Sequence, residues 1–106
     1  MKYIESTLDS REVAEMIEKN HKDLLRDIRR YVKQMTESKI APSEFFRENT
    51  YMDSTGRMLP CYDITRKGCE FIANKLTGIK GTQFTARYIN RFHEMEDIIT
   101  EQQAQK

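Results

Sequence analysis

The side chains best suited to hold an anion are gathered in the stretch SREVAEMIEKNHKDLLRDIRRYVK, residues 10–33. At about 100° per residue, Lys22, Arg26, Arg29 and Lys33 fall within about 60° of one another on a helix, with Arg30 beside them. Leu24, Leu25, Ile28, Tyr31 and Val32 take the opposite face, so such a helix docks its apolar side and presents cations outward. Guanidinium and ammonium groups in a row suit phosphate oxygens and the acceptor edge of guanine. A solvated helix would carry the same residues, with Asp23 and Asp27 pairing locally to Arg26 or Arg30. Spacing alone favours neither use.

The elements that must position this row can be read on either side of it. Asp9 or Ser10 supplies a helix cap, and Glu12 is placed for a capping box if Asp9 is the cap. The spacing of Val13, Ala14, Met16 and Ile17 predicts a first helix running to about residue 19, too narrow in its apolar stripe to stand alone. A polar corner at residues 19–21 follows, with Asn20 either adopting an unusual backbone angle or capping the next helix. The second helix is expected to continue to between residues 35 and 38. Two short helices around a corner, the second basic, form a helix-turn-helix over residues 10–36, whose second helix would sit in the DNA major groove. A short strand at residues 2–5 is expected to precede them.

After Pro42 the period changes. Aromatic and β-favouring residues flank Asp53, Ser54, Thr55 and Gly56, a turn composition with glycine available for positive φ. A β-hairpin of residues 45–52 and 57–63 is expected, within a segment of 45–63, and Pro60 must lie at an edge or bulge because it has no N–H to give. A hairpin after a helix-turn-helix is the arrangement of a wing, which would bring Arg47 and Arg57 to phosphates or the minor groove. A plain solvated hairpin reads equally well from the pattern. Thr65 then caps a third helix, residues 65–77, with Cys69, Phe71, Ile72 and Leu76 facing inward. Gly81 and Thr82 open a fourth over residues 82–101, striped by Phe84, Tyr88, Ile89, Phe92, Met95, Ile98 and Ile99. Phe84, Tyr88, Ile89 and Phe92 are expected in the core. Phe92, Met95, Ile98 and Ile99 are the candidates for pairing with a second copy.

Length and composition restrict the alternatives. At 106 residues the chain is expected to be one domain, mainly helical α+β, with a modest core and no large cleft between domains. The net charge of +1 hides a local excess: residues 20–40 hold six Lys or Arg against three Asp or Glu. Cys61 and Cys69 are eight residues apart with no companion cluster, which predicts reduced, partly buried thiols and neither zinc nor redox chemistry. His21 and His93 imply no metal, and no cofactor is expected. No nucleophile motif or glycine-rich phosphate loop is present, so catalysis is not expected. No apolar run approaches the ~20 residues of a membrane span, and the amino terminus lacks a signal-peptide core. A cytosolic location is expected.

Three stretches, SREVAEMIEKNHKDLLRDIRR, YMDSTGRMLPCYDITRKGCEFIANKLTGIKG and TARYINRFHEMED, together resemble the phage regulatory protein Rha family, and they cover most of the chain in order. The resemblance implies a phage or prophage transcriptional regulator in the cytoplasm of a bacterial host, winged-helix-like in fold. It implies duplex DNA as partner, with Asn20, His21, Lys22 and Arg26 near base edges and Arg29, Arg30 and Lys33 toward phosphates. Arg57 or Arg47 would reach the flanking backbone, and the fourth helix would align a homodimer. Members are also often labelled antirepressors, which implies the rival: capture of a phage repressor through protein contacts without touching DNA.

Overall fold

A computed structural model describes the backbone of residues 6–104 and the side chains of residues 6–96. In chain order it contains strand β1 (Leu8–Asp9), helices α1 (Ser10–Met16) and α2 (His21–Glu37), a 3-10 turn (Pro42–Glu44), strands β2 (Phe46–Met52) and β3 (Met58–Ile64), and helices α3 (Arg66–Lys75) and α4 (Gly78–Ala104). The three strands form one antiparallel sheet in the order β1-β3-β2. The expected strand at residues 2–5 lies outside the described residues.

Asp9 caps α1, its carboxylate accepting the Arg11 N–H at 2.8 Å. Glu12 turns to Arg91 on α4, 2.8 Å away, instead of back to Asp9, so the expected capping box gives way to a tertiary ion pair. α1 stops at Met16, sooner than its apolar spacing suggested. The corner residue in the left-handed region is Glu18 (φ 55°), and Lys19 N–H closes on the Ala14 carbonyl at 2.9 Å. Asn20 is instead extended, at the cap position of α2, where its backbone carbonyl accepts the Asp23 and Leu24 N–H groups and its side chain makes no cap bond. α2 ends in the same manner as α1, with Lys39 left-handed (φ 61°) and Ile40 N–H on the Met35 carbonyl.

The inner face of α2, comprising Leu24, Leu25, Ile28, Tyr31 and Met35, is buried in a single core. Leu8, Val13, Ala14 and Ile17 meet it from one side and Phe46, Tyr62 and Ile64 from the sheet. Tyr31 stacks on Phe46 with centroids 6.4 Å apart and meets Phe71 edge-on at 5.1 Å. Phe84, Tyr88 and Phe92 of α4 belong to the same cluster, while Ile89, expected with them, is exposed. The three core positions recur every fourth residue, and Ile89 lies a full 100° away from Tyr88.

The hairpin register pairs Phe46 with Ile64 and Met52 with Met58. Its closing bonds, Asp53 N–H to Arg57 carbonyl and Thr65 N–H to Phe45 carbonyl, make the odd-numbered positions of β2 the hydrogen-bonded pairs. Pro60, opposite Thr50, therefore points its nitrogen away from β2. β1 reaches only Asp63 and Ile64, so β3 is at an edge at Pro60, as expected.

Thr65 is buried and caps α3, accepting the Gly68 N–H at 3.1 Å while its hydroxyl donates to the Glu44 carbonyl at 2.7 Å. α3 ends at Lys75, and α4 begins at Gly78 (φ 61°), four residues before its expected start. Gly81 is not the opening of α4 but lies within it, close over the Leu76 carbonyl. No helix among the described residues is long and apolar enough to cross a membrane.

Candidate nucleic-acid interface

The corner between α1 and α2 seats the apolar face of α2 in the core, and geometry then turns Lys22, Arg26, Arg29, Arg30 and Lys33 outward, all exposed. Arg26 pairs with Asp23 at 3.1 Å and Arg30 with Asp27 at 3.4 Å. Asp27 also receives Lys19 from the corner. Neither Lys22 nor Lys33 pairs with an acid among the described residues. In the hairpin, Arg57 is 3.0 Å from Asp53, and Arg47 donates to the Ser43 carbonyl at 3.1 Å.

These ion pairs are not electrically blank, because the two partners are not equally covered. Arg57 is 72% exposed against 16% for Asp53, and Arg30 55% against 13% for Asp27. Arg26 and Asp23, Lys19 and Asp27, and Arg11 and Asp9 lean the same way. On α4 the bias reverses: Arg91 is 37% exposed and its partner Glu94 66%. A charge nearer water dominates the field an approaching ligand meets. α2 and the hairpin tip thus present a cationic surface within a chain of net charge +1.

His21 has a different place from the one expected. Half-buried at the start of α2, its Nε2 lies 2.8 Å from the Ser10 hydroxyl, and its ring meets Tyr51 edge-on at 6.1 Å. Burial holds its pKa below the ordinary histidine value, and Arg11 acts in the same direction against Asp9. Ser10 is buried and accepts the Tyr62 N–H at 3.0 Å, in the gap that the short β1 leaves beside β3. Arg11 forks onto Asp9 through Nε and Nη2 and lies 3.9 Å over the Tyr51 ring. That bond holds the Asp9 carboxyl below its usual range. One cluster so braces the hairpin against the amino ends of both α1 and α2. Sequence reading missed it, since Ser10 and His21 are eleven residues apart on two different helices and meet only when the corner folds α1 against α2.

Between α2 and the hairpin runs an open groove lined by Arg29, Glu48, Asn49, Thr50, Pro60, Cys61 and Tyr62. Burial first, and Glu48 next, push the Tyr62 phenol up, opposed by the positive charge of nearby Arg29. Both cysteines are buried and free, and burial raises the Cys69 thiol to about 12, so it is inert as a nucleophile. No group of three His, Cys, Asp or Glu among the described residues could hold a metal ion. Of the expected pairing residues, Phe92 is buried beneath the Arg66 guanidinium and has no surface to give a second copy. Met95 packs partly against the core, and the side chains of Ile98 and Ile99 lie outside the described residues.

Residues 8–97 match the family described as phage regulatory protein Rha. Over 92 residues, 87% of its length, the chain is 55% identical to the "SPbeta prophage-derived putative antirepressor protein YoqD" of Bacillus subtilis (strain 168), covering 37% of that protein. It is 27% identical over 94 residues, 89% of its length, to an uncharacterized protein of Haemophilus influenzae (strain ATCC 51907 / DSM 11121 / KW20 / Rd), covering 54% of it. The chain thus spans between about a third and about half of the length of these relatives. No solved structure matches. On the match across nearly its whole described length, the chain belongs to the phage regulatory protein Rha family.

Proposed function

We propose that this chain is a duplex-DNA-binding unit of a phage regulator, with α1 and α2 as a helix-turn-helix and the β2-β3 hairpin as a wing. The observation that carries the reading is the uneven burial of the ion pairs, which leaves cations outermost on α2 and at the hairpin tip. The order β1-α1-α2-β2-β3 with β3 central also suits a winged helix, since it sets the hairpin beside the basic helix. In this reading Asn20, Lys22 and Arg26 face base edges, and Arg29, Arg30 and Lys33 face phosphates. Arg57 and Arg47 take the flanking backbone. His21 acts from behind, holding the amino end of α2 to the hairpin. Two copies would read half-sites about one helical turn apart.

The test is a fluorescence-anisotropy titration of a labelled duplex over a salt series, in which log K should fall steeply with log salt. Arg26→Ala with Arg29→Ala should weaken binding at least tenfold and flatten the slope by about one phosphate's worth, that of Arg29. No binding at low salt, or an unaffected double variant, sinks the reading.

A second reading is favoured by the 55%-identical Bacillus relative, which is named a "putative antirepressor protein". There the cationic face meets an acidic surface of a phage repressor. Equimolar capture of a repressor by a chain that leaves labelled DNA unshifted would establish it.

A further inference from the structure

Met52 and Met58 face each other across the last pair of the hairpin, 66% and 58% exposed. They form a non-hydrogen-bonded pair, in which opposite side chains stand closest, so the two thioethers make one apolar tip. Among the described residues, the other exposed large apolar side chains, Ile40, Ile79 and Ile89, are far apart in sequence and call for no explanation.

The tip is held stiffly. Asp53 accepts the Thr55 and Arg57 N–H groups, the Thr55 hydroxyl and Arg57 Nε, and Gly56 (φ 86°) completes the turn. One residue before Met52, Tyr51 is pinned on the opposite face of the hairpin by Arg11 and His21, while Met52 and Met58 share the face of Glu48, Thr50, Pro60 and Tyr62, which line the groove beside Arg29 of α2. Beside Met58 stands Arg57, whose acid partner is mostly covered.

From this combination we infer that Met52 and Met58 act as an apolar wedge against a base step in the minor groove of duplex DNA, with Arg57 on the adjacent phosphate. The inference rests on the DNA reading above. Apolar side chains pressed between base steps, with cations on the neighbouring backbone, unstack and bend duplexes. Methionine, unbranched and polarizable, adapts to such a slot. A protein occupant is disfavoured by size: the tip is ringed by Asp53, Ser54, Thr55, Gly56 and Arg57, and two methionines fall far short of the roughly 1,000 Å² that a specific protein interface buries.

The experiment uses the full chain and an A·T-rich duplex of about 24 base pairs carrying donor and acceptor dyes at its ends, a length short enough that a kink changes transfer efficiency. Wild-type protein should raise the transfer. Met52→Ser with Met58→Ser, at exposed positions, should keep the wild-type circular dichroism and salt slope. It should bind about tenfold more weakly and leave the duplex straight. Arg29→Ala, in contrast, should lose salt slope and keep the bend. Unchanged affinity and bending in the serine variant overturns the wedge and leaves the DNA reading standing. So does a variant that loses self-association or repressor capture with DNA binding intact. A wild-type chain that binds no duplex at any salt overturns both.

Discussion

Gly68→Ala tests how the hairpin is fixed to the helices. A Cβ at Gly68 would stand 2.2 Å from the Phe45 carbonyl oxygen and 2.7 Å from Ile64 Cγ2. Ordinary contact begins near 3.4 Å, so α3 and the start of β2 must separate by about 1 Å, and a backbone carbonyl cannot swing aside as a side chain can. The Thr65 hydroxyl to Glu44 carbonyl and Thr65 N–H to Phe45 carbonyl bonds cross that seam, and the Gly68 N–H to Thr65 Oγ1 bond ties the cap to α3 on its own side. Overpacking costs about 1–3 kcal/mol, and a weakened cap adds about 1 kcal/mol. Alanine's better helix propensity returns about 1 kcal/mol. The net loss of about 1–3 kcal/mol lowers Tm by roughly 5–20 °C in a domain near 100 residues. Thermal circular dichroism on the chain at fixed concentration measures it, with Gly56→Ala as the comparison. At Gly56 nothing stands within 4 Å of the added Cβ and only the positive φ resists, so its loss should stay near 1 kcal/mol. A Gly68→Ala variant melting within about 2 °C of wild type, or no lower than Gly56→Ala, refutes the steric argument.

Glu18→Gly should stabilise the chain by about 0.5–1 kcal/mol, since it relieves a non-glycine residue in the left-handed region at the corner; urea midpoints with an unchanged m-value check it, and a fall in midpoint contradicts it. Stability should also decline as pH drops through the histidine range. His21 has its folded pKa below the unfolded value near 6.5, so its contribution is complete above that value. Between the two values the unfolded chain binds the extra proton and the contribution is lost. Tm profiles from about pH 8 to 5 should fall less steeply in His21→Asn than in wild type, and parallel profiles would remove His21 as the cause.

How far the sequence announced this fold depends on whether a feature is local. The amphipathic face of α2, the Asp53–Gly56 turn, the Thr65 cap and the edge position of Pro60 each follow from residues within a turn or two of one another, and each is found. The carboxyl end of α1 and the start of α4 differ from expectation because left-handed Glu18 and Gly78 set them, and a glutamate advertises no such angle. Ile89 was assigned to the core because a stripe at spacings of three and four admits more residues than one buried face can hold. Ser10 with His21, and Gly68 against Phe45, are meetings between segments, and no period in the chain encodes them.

The burial bias of the ion pairs belongs to that second class and matters most for the DNA reading. A count of residues 20–40 credits the region with three excess cations, as though Asp23 and Asp27 cancelled their neighbours completely. Folding changes the weights: Asp27 is drawn toward the corner where Lys19 and Arg30 both reach it, and Asp53 is enclosed by its own turn. Exposed ion pairs are worth only about 0.2–1 kcal/mol each. A phosphate oxygen can therefore replace an aspartate at Arg30 or Arg57 for little cost, and the displaced acid remains bonded to its other donors. Under the DNA reading, these acids act as internal stand-ins for phosphate. They keep the guanidinium groups ordered in advance and so reduce the entropy lost on binding. Lys22 and Lys33, lacking such partners among the described residues, would contribute charge without that ordering. The arginines should then govern how fast the complex falls apart, and the lysines chiefly how fast it forms.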